Sequence, residues 1–321
     1  LNTAVPPLIS QEEAERAVIP RERIRDMVAA VKRLLPVDAL RVGLLTASCQ
    51  ISIDYKDPQD LYKKLHRGYA LSPLLIHLLA SDTSRIEGQA MHRHIRSDLY
   101  RSYGQEANGI PSYLKNSFDG ETLIQAHLDH LYKTPLLYYY DRDQIVYPKT
   151  LSETFNSLST RELNTAQNFE ATESFLYHDI KFKPLPNGKR RLEFRLADTG
   201  FGHMKAAGAL ISTLVCDDAA ATVFDRILKN FGFCGNLSDD LPLLIANRES
   251  AIHSPASNQV SFGNGTLRGF VTAIRQQLLP RLKRDSETTQ ILQDLLAPTR
   301  RPLRAHYQTL TDQQLMHAIV I

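Results

Sequence analysis

Hydrophobic and polar positions alternate most regularly in residues 190–198, Arg-Arg-Leu-Glu-Phe-Arg-Leu-Ala-Asp. With the two-residue period of a β-strand, one side carries three apolar residues: Leu192, Phe194 and Leu196. The other side carries three charged residues: Arg191, Glu193 and Arg195. A charged strand face is commonly the solvated side of a half-covered sheet, so this pattern alone leaves open whether the face is a site.

A turn signal precedes this strand. Residues 179–185 also alternate, and Pro186-Asn187-Gly188 separates the two runs. Two alternating runs joined by such a turn predict a β-hairpin. A glycine-punctuated link, Thr199 to Gly202, then leads into a long predicted helix.

A second two-faced strand lies far upstream. From Ser48, polar residues occupy every second position, at Ser48, Gln50, Ser52 and Asp54. The intervening positions are mostly apolar: Cys49, Ile51, Ile53 and Tyr55. Two strands of this design predict one antiparallel sheet with helices on its apolar face and a polar face that lines a cleft. The fold class predicted is α+β.

Apolar stripes and capping signals predict the helices. The spans are 20–35, 58 to about 80, 121–131, 204–231, 237–250 and spans near 267–282, 287–296 and 312–319. Asp57-Pro58 is a helix start, and Pro73 is expected to kink or divide that helix. An apolar strand is predicted over 134–140, with a turn at 141–143 and a return over 144–147. Residues 81–111 are expected to form a functional loop region, residues 150–173 are polar and could include a mobile loop, and residues 252–265 are expected to be irregular.

Composition excludes several classes of function. The 321 residues carry 38 Lys and Arg against 35 Asp and Glu, a net charge of +3, which does not support binding to nucleic acid or a membrane surface. The cysteines, Cys49, Cys216 and Cys234, have no metal-binding spacing and suggest reduced thiols in a cytoplasmic protein. No apolar run reaches membrane-spanning length, and no signal peptide is visible.

The domain organisation expected is a linker-like start over 1–17, an α+β core over 18–232 and a mostly helical part over 233–321 that packs on the core. The opening, Leu1 to Pro7, suggests that a segment is missing upstream.

Local motifs do not define the chemistry. The sequence contains no P-loop, no Gly-x-Gly-x-x-Gly, no metalloprotease helix and no nucleophile elbow. His92-Arg93-His94 could in principle hold a metal, but no third ligand is placed nearby in sequence, and solvation or anion contacts fit it better.

Four segments, taken in order, resemble the glutamate–cysteine ligase family. Residues 20–27 look like its P-K-x-R-Y-x-x-M helix start, and residues 46–55 look like its T-x-x-x-Q-x-N-x-D-F strand. Residues 68–84, with Glu87-Gly88 and Arg93-His94-Ile95, are similar to its helix, turn and loop. Residues 189–199 look like its R-L-K-R-Y-L-E-x-R-x-A-D strand. The resemblance covers about residues 18–232.

The resemblance implies an activity and a fold. Such enzymes join a carboxylate, here of glutamate or a similar amino acid, to an amine such as that of cysteine, using ATP and magnesium through an acyl phosphate. The implied fold is that of glutamine synthetase and glutamate–cysteine ligase without its N-terminal part. That part supplies glutamates that hold magnesium, so an upstream segment or a companion chain could provide them.

The resemblance also implies roles for individual residues. Arg195 and Arg93 would be catalytic and, with Glu193, would contact the nucleotide. Four residues would bind substrate: Gln50, Ser52, Arg23 and Ser48. Glu193 and Asp54 would be the magnesium ligands. Arginine suits these roles because its planar fork binds carboxylate and phosphate oxygens in pairs.

Departures from the family pattern keep other hypotheses open. The family's strand asparagine is Ser52 here, its helix tyrosine is Ile24, and Asp82-Thr83-Ser84 stands at its Asn-Ser-Pro turn. One alternative is a non-catalytic relative or partner subunit that keeps the fold without the metal site. Another is an unrelated α+β enzyme or binding module. Arg195 could contact an anion, or be neutralised by Glu193 and Asp198.

Overall fold

The fold was analysed in a computed structural model. It describes residues 22–35, 48–79, 85–86, 89–90, 107–142, 144–149, 158, 162–184, 190–198, 201–253, 259–282 and 286–297. The elements of the first half are α1 (Glu22–Leu34), β1 (Ser48–Asp54), α2 (Pro58–Leu79), β2 (Arg85–Ile86), β3 (Gln89–Ala90), β4 (Asn108–Gly109), α3 (Gly120–Lys133), β5 (Tyr139–Asp141) and β6 (Gln144–Val146). Those of the second half are α4 (Ala166–Ser174), β7 (Tyr177–His178), β8 (Ile180–Pro184), β9 (Arg190–Asp198), α5 (Phe201–Ile211), α6 (Asp218–Asn230), α7 (Leu237–His253), β10 (Ser261–Phe262), β11 (Gly265–Thr266), α8 (Leu267–Gln277) and α9 (Glu287–Leu295).

The central sheet has the strand order β1-β9-β8, and both pairings are antiparallel. The predicted hairpin of β8 and β9 and the predicted pairing of two distant two-faced strands are therefore confirmed. Between the pairs Cys49–Ala197 and Ile51–Phe194, β9 advances one residue more than β1. This β-bulge is an irregularity that the alternation of the sequence did not predict.

Helix α2 covers the apolar face of the sheet. It begins at Pro58, as predicted, and continues through Pro73, so the predicted division of the helix does not occur. The helix approaches the sheet most closely at Gly68, where a Cβ atom would lie 2.6 Å from Ile180 and 2.8 Å from the ring of Phe194. Leu192, Phe194 and the buried residues of α2 belong to one hydrophobic core.

The C-terminal helices extend this core. Residues from α6 to α9 share a single buried cluster with α2 and the sheet. At the start of α7, Asp240 lies 2.8 Å from Nε2 of His66 on α2 and accepts hydrogen bonds from the backbone N–H groups of Cys234 and Gly235. Although burial acts in the opposite direction, these bonds lower the pKa of Asp240 to about 2. The described part of residues 233–321 thus packs on the preceding helices and strands.

A second, smaller core joins α1, the β5–β6 hairpin and α4, with Val31, Tyr138 and Phe175 buried in it. It explains two corrections to the sequence analysis. The predicted strand over 134–140 begins only at Tyr139, because Leu137 and Tyr138 pack into this core as irregular backbone. The polar segment 150–173, which could have included a mobile loop, supplies most of α4.

The predicted helix over 204–231 is two helices. After α5, a π-helical turn covers Ser212–Cys216, and Asp217 caps α6 with its side chain. The two parts meet at 85°. Elsewhere, a short β10–β11 hairpin occupies part of the segment predicted to be irregular, and the helix predicted near 312–319 lies outside the described residues.

Within the described parts of the chain, no single helix is both long and apolar enough to cross a membrane. Among the described residues, one bent pair of helices, Met204–Cys216 with Asp218–Asn230, meets that criterion by length and composition when the two are taken together.

Candidate functional site

The candidate site is the polar face of the central sheet, and strand register builds it in two rows. One row runs from Ser52 on β1 through Glu193 on β9 to Lys181 on β8. The next row runs through three charged residues: Asp54, Arg191 and Lys183. Because directly paired residues point to the same side of a sheet, these side chains share one face, as the alternation predicted.

Glu193 lies at the centre of this face and is only 5% exposed. Its Oε2 accepts a hydrogen bond from Nζ of Lys183 at 2.9 Å, and its Oε1 lies 3.4 Å from Nε of Arg195. A buried carboxylate is stable only with such partners. Glu193 therefore holds two cations in place: Arg195 on its own strand, β9, and Lys183 on the neighbouring strand, β8.

Arg195 connects the sheet to the residues that follow α4. One guanidinium NH group donates to the carbonyl of Leu176 at 3.3 Å, and the guanidinium carbon lies 5.4 Å from the ring centre of Tyr177. Asp179 and Arg195 are also joined through their backbones, since Arg195 N–H donates to the Asp179 carbonyl. The side chain is thus held in a defined position at the bulge of β9.

Lys181 is buried beneath the C-terminal end of α4, where its ammonium donates to the carbonyl of Glu173. Cations are favoured at this end of a helix, where carbonyl groups lack partners within the helix. Burial lowers the pKa of Lys181 to about 8; the Glu173 carboxylate acts against this shift, and the positive charges of Arg195 and Lys183 add to it. Burial likewise raises the pKa of Glu173, against the attraction of Lys181 and Lys183.

The other end of the face is open to solvent. Ser52, Asp54 and Gln50 are exposed, and Arg191 lies 3.7 Å from the Asp54 carboxylate with 42% of its side chain exposed. Along the polar face, the charged side chains therefore change from buried, at Glu193 and Lys181, to solvent-accessible, at Lys183 and Arg191. Its cations could hold an anionic ligand, and the exposed hydroxyl and amide groups could add neutral hydrogen bonds.

The structure brings together five of the residues that the sequence analysis nominated: Gln50, Ser52, Asp54, Glu193 and Arg195. Ser48 starts β1 and Arg23 lies on α1, but the side chains of both lie outside the described part of the chain. Arg93 lies wholly outside it. Of the loop region predicted over 81–111, the end from Asn108 to Pro111 is buried rather than exposed.

The magnesium prediction stays a prediction, and the structure shows what its two nominated ligands contact. Glu193 is engaged by Lys183 and Arg195, and Asp54 pairs with Arg191. Among the side chains that the structure describes, no group of three or more His, Cys, Asp or Glu residues could hold a metal ion.

Lys181 and Lys183 are the functional candidates that the sequence analysis missed. Their signal was the alternation Ile-Lys-Phe-Lys in residues 180–183, which places both lysines on the face of Glu193 once the hairpin register is known. The link to Glu173 could not be foreseen, because it depends on where α4 packs.

A separate aromatic and histidine cluster lies between α3, β7 and β8. The Tyr113 hydroxyl is 3.1 Å from Nδ1 of His127, whose ring lies 4.5 Å from that of Phe182. The rings of His130 and His178 lie nearby, with centres 5.6 Å apart and planes inclined at 40°. Its members belong to the packed interior beside the sheet rather than to the polar face.

In comparisons with known proteins, no family model matches the chain, and no curated protein matches it.

Proposed function

We propose that this protein is an ATP-dependent carboxylate–amine ligase that acts on glutamate or a similar amino acid. The observation that carries the proposal is the direct pairing of β1 with β9. These strands contain two of the segments that resemble glutamate–cysteine ligases, and their polar residues share one sheet face while helices pack on the other. The proposal includes a sheet of the glutamine-synthetase and glutamate–cysteine-ligase type.

The proposed reaction has two steps. A carboxylate oxygen of the amino acid attacks the terminal phosphorus of ATP, which forms an acyl phosphate and releases ADP. The amine then attacks the carbonyl carbon, the amide bond forms, and phosphate leaves with the electron pair of the broken C–O bond while the amine loses a proton. Because charge develops on the transferred phosphoryl group and on the carbonyl oxygen, fixed cations are the principal contribution that a protein can make.

In this proposal Arg195 contacts the developing negative charge, and Glu193 holds Arg195 in place through the 3.4 Å contact. Gln50 and Ser52 lie on the adjacent strand, β1, and offer exposed neutral hydrogen-bond donors to the amino-acid substrate. Ser48, Arg23 and Arg93 would add to substrate and nucleotide binding, as the resemblance implies. No step of this proposal is routed through magnesium.

The same ion pairs favour one alternative, a non-catalytic relative or partner subunit. In such a protein the Lys183–Glu193–Arg195 group would serve only to stabilise the sheet. The two proposals differ in what happens when Arg195 is removed.

Replacement of Arg195 separates them. In the ligase, Arg195→Ala should reduce amino-acid-dependent ADP formation by about 100-fold or more, because a contact to transition-state charge is lost. Arg67→Ala is a matched control: Arg67 is similarly buried (13% against 19% exposed) and bonds Asp225 through two nitrogens, but it lies on the helix side of the sheet.

Activity and thermal melting are measured on both variants. Loss of ADP formation in Arg195→Ala alone supports the site, even if both variants melt at lower temperature. Arg195→Ala turning over at the wild-type rate while melting lower would assign Arg195 to structural support and contradict the proposal.

A further inference from the structure

An unusual pair of like charges lies on the solvent-exposed part of the polar face. Lys183 and Arg191 are direct partners in the antiparallel ladder of β8 and β9. Directly opposite residues have Cβ atoms only about 5 Å apart, and like charges there destabilise a sheet. Both side chains are almost half exposed, 46% for Lys183 and 42% for Arg191.

The carboxylates nearby do not balance this charge. Among the described side chains of the three strands, four cations (Lys181, Lys183, Arg191 and Arg195) face two carboxylates (Asp54 and Glu193). Glu193 is divided between Lys183 and Arg195. Asp54 is 78% exposed and 3.7 Å from Arg191, a geometry that contributes little in water.

Glu173 is a further carboxyl group near this face, and it lies at the buried end. It overlies Lys181, and burial raises its pKa, so its negative charge is disfavoured. Lys181 donates to a carbonyl at the end of α4, whereas Lys183 and Arg191 lie at the exposed end of the face.

We propose that Lys183 and Arg191 form a subsite for the phosphate chain of a ligand. Two adjacent cations offer several hydrogen-bond donors to one ligand, which suits the many anionic oxygens of a phosphate chain. An arginine fork beside a lysine ammonium is a common way to bind phosphate oxygens. The subsite stands on the register and charge of this face; naming ATP as the source of the phosphates rests on the proposed function.

The test measures the binding of inorganic tripolyphosphate to the full chain by isothermal titration calorimetry. Wild type should bind saturably, and Lys183→Ala and Arg191→Ala should each weaken binding by about tenfold, the usual effect of losing one charge-assisted hydrogen bond. Lys183→Arg should bind like wild type.

Lys205→Ala is the matched control. Lys205 is 47% exposed, close to the 46% of Lys183, and its distance to Glu287, 2.9 Å, equals that between Lys183 and Glu193, but it lies on α5. It should leave tripolyphosphate binding unchanged. Absence of saturable binding to wild type, wild-type affinity in Lys183→Ala and Arg191→Ala, or equal weakening in Lys205→Ala would each overturn the subsite.

Two further outcomes separate a failure of the phosphate subsite from a failure of the proposed ligase function. Tripolyphosphate binding that depends on Lys183 and Arg191 in a chain that forms no ADP keeps the subsite and removes the ligase. Amino-acid-dependent ADP formation with an unchanged KM for ATP in both alanine variants keeps the ligase and removes the subsite.

Discussion

His127 illustrates how burial controls the charge of a residue beside the sheet. Its Nδ1 contacts the Tyr113 hydroxyl and its ring packs on Phe182. Burial lowers its pKa to about 3, and the positive charges of His130 and Lys181 would act in the same direction. The imidazole is therefore neutral in the folded chain near neutral pH.

This shift predicts acid sensitivity. Between pH 6.5 and about 3 the unfolded chain binds a proton at His127 and the folded chain does not. The stability that neutral His127 supports is thus complete above pH 6.5 and falls as the pH falls towards 3. Between pH 6.5 and pH 5 the loss in unfolding free energy is up to about 2 kcal/mol.

Urea unfolding at pH 6.5 and pH 5 measures this loss. In His127→Phe, the difference between the two pH values should shrink by that amount, whatever the variant's stability at pH 6.5. The more exposed His253→Phe is the control and should keep the wild-type difference. An unchanged difference in His127→Phe would assign the acid sensitivity to other groups.

At the scale of elements, the crossing of α2 over the sheet depends on a residue without a side chain. Gly68 lies against Ile180 and the ring of Phe194, which is 2% exposed. The end of the Ile180 side chain can move, but the aromatic ring is confined by the core. The position of the polar face therefore depends on close packing behind it.

Gly68→Ala is expected to destabilise the fold by about 1–3 kcal/mol, because the strain of overpacking exceeds the gain of up to about 1 kcal/mol from a better helix former. Gly208→Ala on α5 is the matched control: no atom lies within 4 Å of its added Cβ, so this variant should be neutral or more stable. Chemical denaturation of both variants checks the prediction. Equal stability of Gly68→Ala and Gly208→Ala would mean that α2 is free to shift.

Much of the sheet could be predicted because each signal is local. Alternation assigned the faces of β1 and β9, Pro186-Asn187-Gly188 marked the hairpin, and Asp57-Pro58 marked the start of α2. The remainder depends on tertiary packing. Leu137 and Tyr138 belong to an apolar run that resembles a strand, but they fill a second core, and the apolar pattern of residues 204–231 continues through a bend. The cover that α4 places over Lys181 has no sequence signal of its own.

At the scale of the whole molecule, one buried ion pair ties the sheet to the C-terminal helices. Arg248 on α7 bonds both carboxylate oxygens of Asp179, the residue between β7 and β8, at 2.5 and 3.0 Å. Its guanidinium also lies against Gly109, where an added Cβ atom would be 3.1 Å from the guanidinium carbon and where the positive φ of 73° favours glycine. Asp179 in turn accepts the backbone N–H of Arg195. The helices that follow the sheet thus help to position the strand that carries the candidate site.

The central claim is that this face supports ligation through an acyl phosphate, and the fate of the carboxylate oxygens tests it most directly. The measurement is mass spectrometry of the phosphate released when the full chain reacts with ATP, cysteine and glutamate labelled with oxygen-18 in its side-chain carboxylate. Attack of that carboxylate on ATP, followed by attack of the amine on carbon, predicts one labelled oxygen atom in each phosphate released. Arg195→Ala should abolish this transfer, and Arg67→Ala should retain it. Release of unlabelled phosphate, or no amino-acid-dependent release at all with glutamate and other amino acids as acceptors, would contradict the account.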